Sequence, residues 1–275
     1  MKVQKLRKEK LVIRLIDKFF PQRFRLANLT NYPMIGDFLD KLFFEEDNMF
    51  FLTKDTIIEM DKTIKLSDNY VLPSKIVDHF IKEADYHRIM HFCICRKSDQ
   101  CEDYPIELGC LFLGEAAKDI DPELGRPVTE EEALEHVEKC REAGLVHLIG
   151  RNKLDPVWLD VTPGKKLMTI CNCCPCCCLW KMLSDLTPDI SDKIKKMPGV
   201  IIKVNKRKCI GCGECHQICF VNAIEIRDGK AIISDDCRGC GRCIEVCPEK
   251  AVEIEIEGLE YYHKSIKDLE DAVDI

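Results

Sequence analysis

A chain of 275 residues with 46% apolar content can build one ordinary domain plus a small one, with a core that does not depend on disulfides. Its formal net charge of −7 argues against nucleic acid as a main partner. Nineteen cysteines, bunched in CxxC, CxC and CC pairs, are badly placed to bridge one another and well placed for metal, which argues against a secreted disulfide scaffold. The expected setting is a reducing cytoplasm at low oxygen.

The chain opens with a predicted helix from Lys2 to Phe20, stopped before Pro21. Val3, Leu6, Ile13, Ile16 and Phe20 share one face, and Leu11, Val12, Leu15 and Phe19 widen it, so the helix is expected to dock. Its own core is the first choice; a partner subunit or a membrane surface is the alternative. Arg14, Asp17 and Lys18 break the apolar run, which reads as no signal peptide, and no uncharged stretch is long enough to span a bilayer. The first 25 residues are rich in Lys and Arg and the end of the chain in Glu and Asp, an asymmetry suited to steering redox partners.

Phe43, Phe44, Phe50 and Phe51 read as core, Thr56 to Leu66 as a strand, and Pro73-Ser74 as the start of a helix with Ile76, Val77, Phe80, Ile81 and Ala84 at helical spacing. A cysteine-rich region follows. It begins at His91-Phe-Cys93-Ile-Cys95-Arg96 and continues through Cys101 and Cys110. Thr129 and Glu132 form a capping box for a helix that ends at Gly144 and carries Cys140 as a buried core thiol. Leu145–Ile149 and Val157–Val161 read as paired strands. Lys166–Ile170 then leads into Cys171-Asn-Cys173-Cys174-Pro-Cys176-Cys177-Cys178, with a short helix from Leu179 to Leu186.

After the turn residues of 188–198 comes an internal repeat. Cys209-Ile-Gly-Cys212-Gly-Glu-Cys215-His-Gln-Ile-Cys219 recurs as Cys237-Arg-Gly-Cys240-Gly-Arg-Cys243-Ile-Glu-Val-Cys247-Pro248. Three thiolates at every third position wrap a short loop around an iron–sulfur cube, and the fourth, opening a helix, points at the neighbouring cluster. Cluster 1 is therefore expected to take Cys209, Cys212, Cys215 and Cys247, and cluster 2 Cys237, Cys240, Cys243 and Cys219. Gly211, Gly213, Gly239 and Gly241 allow the tight turns that aim amides at sulfur. A pair of four-cysteine zinc knuckles would need two CxxC pairs set farther apart.

At these residues, from about Val200 to Glu257, the sequence resembles the bacterial-type two-cluster [4Fe-4S] ferredoxins, with Phe220 in place of the proline that Pro248 keeps. The resemblance implies a pseudo-twofold βαββαβ-like domain. The wider Cys-x-Cys-Arg … Cys-Asn-Cys-Cys-x-Cys-Cys-Cys arrangement, from about Asn69 onward, is similar to a group of anaerobe iron–sulfur proteins in which the same region precedes a ferredoxin domain. The Cys173-Cys174 pair is also similar to motifs of heterodisulfide-reductase-type subunits, although Pro175 stands where glycine follows there. The expected fold class is α+β: a helical and mixed lobe (1–72), a cysteine-rich domain (73–187), a linker (188–198), the ferredoxin-type domain (199–258) and an acidic tail (259–275).

Ten cysteines beyond the eight and Cys140 remain as candidate metal ligands: Cys93, Cys95, Cys101, Cys110, Cys171, Cys173, Cys174, Cys176, Cys177 and Cys178. Six thiols in eight positions are metal chemistry rather than packing, but adjacent cysteines cannot all reach one cubane. They are read as one or two further clusters, with zinc as the alternative. Arg96 reads as a cation beside a cluster or a surface charge, His91 as a hydrogen-bonded structural residue with a ligand or proton-partner role as the alternative, and His147 and His216 as structural or exposed. Nucleotide and acyl-transfer motifs are missing. The reading is an electron carrier that passes low-potential electrons through two [4Fe-4S] clusters to a further cysteine-ligated cluster and a redox partner protein. The alternative is an iron–sulfur oxidoreductase whose upstream cluster is the active site, reducing a disulfide or activating a partner's cofactor.

Overall fold

The N-terminal two thirds of the chain are built on one mixed sheet. Its strands are β1 (Asn48–Phe51), β2 (His87–Met90), β3 (Leu111–Leu113), β4 (Gly125–Val128), β5 (Val146–Arg151), β6 (Met168–Cys173) and β7 (Ile194–Lys196), in the order β4-β2-β3-β6-β5-β1-β7. The computed structural model describes residues 12–55, 72–256 and 260–275. Only the β1–β7 pair of this sheet is parallel. The expected strand over Thr56–Leu66 and the start of the first helix lie outside the described residues.

Side chains alternate across a strand, so β1 serves two cores at once. Phe50 and Leu52 face one cluster with Ile149, Ile170 and the helix Ser74–Glu83 through Ile76, Val77, Phe80 and Ile81. Met49 and Phe51 face the other with Val146, Leu148, Cys173 and Trp180. The helix Glu130–Glu142 closes the first face through Ala133 and Val137. Its start is fixed as the sequence implies: Thr129 Oγ1 accepts from Glu132 N at 3.2 Å while Glu132 Oε2 accepts from Thr129 N at 3.0 Å. Thr129→Ala is expected to cost about 1 kcal/mol, read as a lower urea midpoint, with Thr129→Ser keeping most of it. An unchanged midpoint in the alanine variant would show that packing alone holds this helix.

The second domain runs β8 (Val200–Val204), helix Glu214–Ile218, β9 (Ile224–Arg227), β10 (Lys230–Ile233), helix Arg242–Glu245 and β11 (Val252–Ile256). β8 pairs with β11 and β9 with β10, both antiparallel. The molecule is thus α+β throughout. The second domain packs directly on the first. Phe220 is buried, and its ring lies 4.9 Å from that of Phe51, a pair worth about 0.5–1.5 kcal/mol beyond area burial. Thr53 Oγ1 donates to Gly239 O at 2.8 Å, and Lys54 Nζ pairs with Glu245 Oε1 at 2.6 Å. The ring that stands in place of the proline that Pro248 keeps is a docking anchor.

One expectation is corrected. Val157–Val161 is not a strand: a helix covers Leu154–Leu159, because Asn152 Oδ1 caps Asp155 N at 2.8 Å and Pro156 sits in the first turn, where a missing N–H costs nothing. Within the stretch 188–198, Ile190, Ile194 and Met197 are buried and β7 extends the main sheet. The acidic tail is docked. Helix Glu260–Glu270 buries Ser265 and Leu269, Val273 follows them inward, and Asp274 N donates to Lys165 O at 2.8 Å. Of the first helix, residues 12–19 are described as helical; Phe20 is buried, Leu15 and Phe19 are exposed, and Asp17 accepts from Ser98 Oγ at 2.6 Å.

Candidate metal centres

In the C-terminal repeat each cysteine run folds as a tight loop entering a short helix. Gly211 shows why: at φ +70° a Cβ there would meet Gly229 O at 2.3 Å, so no other residue fits without moving backbone. A cavity is lined by Cys209, Cys212, Cys215 and Cys247 with Ile226, Ala251 and Val252. The charges of Cys212, Cys247 and Cys209 act on Cys215, and those of Cys240, Cys237 and Cys219 on Cys243. The cavity thus takes in the fourth cysteine of the second run with the first three of the first, and Cys243 feels Cys219 together with Cys215 of the other run. Amides point at the sulfurs: Ala231 N to Cys209 (3.4 Å), Ala223 N to Cys219 (3.3 Å), Ala251 N to Cys247 (3.2 Å) and Gly239 N to Cys237 (3.5 Å). Burial pushes the Cys237 thiol up to about 11 and raises Cys215, Cys219 and Cys243 as well, so metal loading must displace protons. Cys212 is exposed, which places the first set at the surface.

Upstream, four of the ten candidate thiols form one compact group. Cys101, Cys174, Cys176 and Cys177 have sulfurs all within 4.8 Å of one another, with Cys101 to Cys176 at 3.5 Å. Cys177 N donates to Cys174 Sγ at 3.3 Å. Burial pushes Cys176 up to about 12 and raises Cys177. At Cys101 burial also raises, but hydrogen bonds from Cys177 and Cys176 and from the Tyr104 and Asp103 amides outweigh it and hold the thiol below its ordinary value. Among the described residues no other group of metal-ligating atoms is as compact, the C-terminal quartets included. A tetrahedral ion with metal–sulfur bonds of about 2.3 Å sets its sulfurs ~3.8 Å apart, which this quartet matches.

The other six are Cys93, Cys95, Cys110, Cys171, Cys173 and Cys178. Cys110 and Cys171 are 3.9 Å apart. Cys93 and Cys95 act on each other's protonation, as do Cys171, Cys173 and Cys178 along their run. The bond from Cys95 and the charge of Arg96 push Cys93 down to about 7, despite its burial. Bonds from Cys171 and Cys178, then the charges of Arg242 and Arg96, put Cys173 well below its ordinary value. Cys140 is buried beside Cys174 and Cys177 without joining their quartet, and burial pushes it up to about 12.

Arg96 is fully buried rather than a surface cation. It donates to Pro105 O at 2.8 Å, to Asn172 O at 2.7 Å and to Leu108 O. Arg242, which the sequence reading passed over, is 4% exposed and donates to Cys173 O across the domain interface, while its Nη1 has no partner. A signal for it lay in the repeat itself, where Glu214 occupies the matching position between Cys212 and Cys215. His91 Nε2 and His216 Nδ1 bond the carbonyls of Pro122 (3.1 Å) and Ile224 (2.5 Å). His147 is buried with Nδ1 2.8 Å from Asn172 Oδ1.

Residues 202–254 match the family model of the 4Fe-4S dicluster domain. Over 34 residues the chain is 47% identical to Ferredoxin-2 of Desulfomicrobium norvegicum, a match that covers 12% of this chain and 58% of that relative. No solved structure matches. The C-terminal domain is a ferredoxin-type iron–sulfur domain, and its eight thiols, sulfur-directed amides and apolar lining fit such clusters. No helix among the described residues is long and apolar enough to cross a membrane.

Proposed function

We propose that this chain is an electron-transfer protein in which Cys209, Cys212, Cys215 and Cys247 hold one [4Fe-4S] cluster and Cys237, Cys240, Cys243 and Cys219 a second, with further metal on the upstream thiols and a redox protein as partner. The two halves of the C-terminal domain are then related by a pseudo-twofold axis through the exchanged cysteines. Bound there, such clusters take up and release single electrons at a potential tuned by charge, burial and hydrogen bonds to sulfur. The chain supplies that tuning through the four amide–sulfur contacts, which favour the more negative state, and through the apolar lining, which keeps water out.

The observation that carries the reading is the placement of the second thiol set. Cys219, Cys237 and Cys240 pack in one apolar cluster with Phe220 and with Cys171, Cys173 and Cys178 of the upstream domain. In the first set Cys209 and Cys215 are buried, while exposed Cys212, with Ile210 projecting beside it, offers a partner a docking edge. The compact Cys101, Cys174, Cys176 and Cys177 quartet suits a single zinc or iron ion.

The test is metal and acid-labile sulfide analysis of the anaerobically purified full chain, with EPR of the dithionite-reduced protein. At least about eight irons and eight sulfides are expected. Cys247→Ala should perturb the cluster of the Cys209 run and Cys219→Ala that of the Cys237 run. A colourless, iron-free protein would end this reading.

A further inference from the structure

We propose that the six thiols of Cys93, Cys95, Cys110, Cys171, Cys173 and Cys178 form a separate buried site for a polynuclear iron–sulfur cluster, lying between the ferredoxin-type domain and the compact four-thiol site. The inference rests on the reading above that the chain carries iron–sulfur centres.

Topology brings the six together. In the register of β3 with β6, Leu111 stands opposite Ile170, so Cys110 meets Cys171 at the end of the pair. Cys171 and Cys173 share one face of β6, the face that looks toward Phe220. Cys93 and Cys95 arrive just past β2, at the start of the helix Ile94–Ser98, and Cys178 precedes the helical turns Leu179–Asp185.

Spacing sets the kind of occupant. Cys110 and Cys171 lie 3.9 Å apart, while the compact set of sulfurs within 4.8 Å of one another takes in none of the six. One tetrahedral ion would need sulfurs ~3.8 Å apart, as in the neighbouring quartet. The C-terminal quartets, which lie in a stretch matching a four-iron family, stand outside that compact set as well. Six thiols outnumber the four that one tetrahedral ion takes, so a multi-atom core uses them where a lone ion does not.

Charge supplies an independent argument. Arg96 is completely buried and Arg242 nearly so, and neither makes an ion pair with a carboxylate among the described residues. Two guanidinium groups in an apolar interior are costly without anions close by. Thiols fill that role: Arg96 adjoins Cys93, Cys110 and Cys174, and Arg242 adjoins Cys173. The unpartnered Nη1 of Arg242 is a buried donor left for the bound group. An anionic cluster on six cysteine sulfurs completes both the charge and the hydrogen bonding. Each thiol that ligates gives up its proton to solvent as metal enters.

The test uses the full chain, reconstituted anaerobically with iron and sulfide and read by acid-labile sulfide, zinc and iron content, and 57Fe Mössbauer spectroscopy. The expected wild type has clearly more than the roughly eight sulfides of two cubanes and a third exchange-coupled iron species. Cys95→Ser and Cys110→Ser should each remove that species and the excess sulfide, and leave the ferredoxin EPR signals and the ion bound at the compact quartet. Cys176→Ser should remove one zinc or iron ion without any sulfide. Eight sulfides with both ferredoxin signals intact would overturn this proposal and leave the proposed function standing. Loss of the ferredoxin signals themselves would instead sink the proposed function. If Cys95→Ser and Cys176→Ser strip the same metal, the division into two sites is wrong. Should the serine variants not fold, the wild-type Mössbauer spectrum decides alone.

Discussion

Arg96→Met is expected to lower the urea midpoint of the N-terminal domain by the equivalent of about 3–5 kcal/mol, the range for breaking a buried charged network. The side chain is one of the largest with no exposure at all, and its donors tie together three stretches of chain through Pro105, Leu108 and Asn172 carbonyls. Methionine fills much of the volume but leaves three buried acceptors unmade, at about 1–3 kcal/mol each before relaxation. It also removes the cation beside Cys93, Cys110 and Cys174, whose charges outweigh burial and hold the Arg96 pKa above its ordinary value. Upstream metal should therefore be lost before the ferredoxin EPR signals change. Arg96→Lys separates the two effects: it keeps the charge, so part of the metal returns, but it lacks the planar fork, so the midpoint stays low. Wild-type metal content and midpoint in the methionine variant would show that this guanidinium has no structural or electrostatic role.

How far the sequence could be read depends on which force decides each element. Thr129 and Glu132 set a helix start by local hydrogen bonds, and local rules are visible in the letters. The repeat from Cys209 to Pro248 is legible because spacing around an inorganic core is itself local. Val157–Val161 misleads because Val157, Leu159 and Val161 alternate like a strand, while the side chain of Asn152 and Pro156 impose a helical turn. Charges in 188–198 and 259–275 conceal the apolar residues that dock, among them Ile194 and Leu269, both fully buried. The division of the upstream thiols lies beyond any local rule. It follows from which residue of β6 meets which residue of β3, and neighbours such as Cys173 and Cys174 go to different groups because strand β6 ends between them. Arg96 is likewise indistinguishable from a surface cation until the loops over it are in place.

Alkaline pH is expected to destabilise the fold through Asp47. This residue is 6% exposed; Oδ1 accepts from Lys153 N at 2.7 Å, and Oδ2 has no partner. Burial is the main cause that raises its pKa from the usual 3.8 to about 7, and the Lys153 amide and the charge of Lys193 only partly offset it. Because the folded value lies above the unfolded one, the fold holds this proton more tightly than the unfolded chain does. The resulting stabilisation is complete below pH 3.8 and is lost as pH climbs through about 7. About three units at 1.36 kcal/mol each give a ceiling of roughly 4 kcal/mol, of which roughly 2 kcal/mol should disappear between about pH 5.5 and 8. Asp47→Asn removes the titration while its side-chain carbonyl still accepts from Lys153 N. Its amide inherits the partnerless position at a cost of about 1 kcal/mol, so the variant should be no better than wild type at acidic pH and more stable at pH ~8. Metal release varies with pH in both proteins alike, so the difference between their unfolding midpoints isolates this carboxyl. Parallel midpoint curves for the two proteins would mean that Asp47 is ionised in the fold at ordinary cost, with water reaching Oδ2.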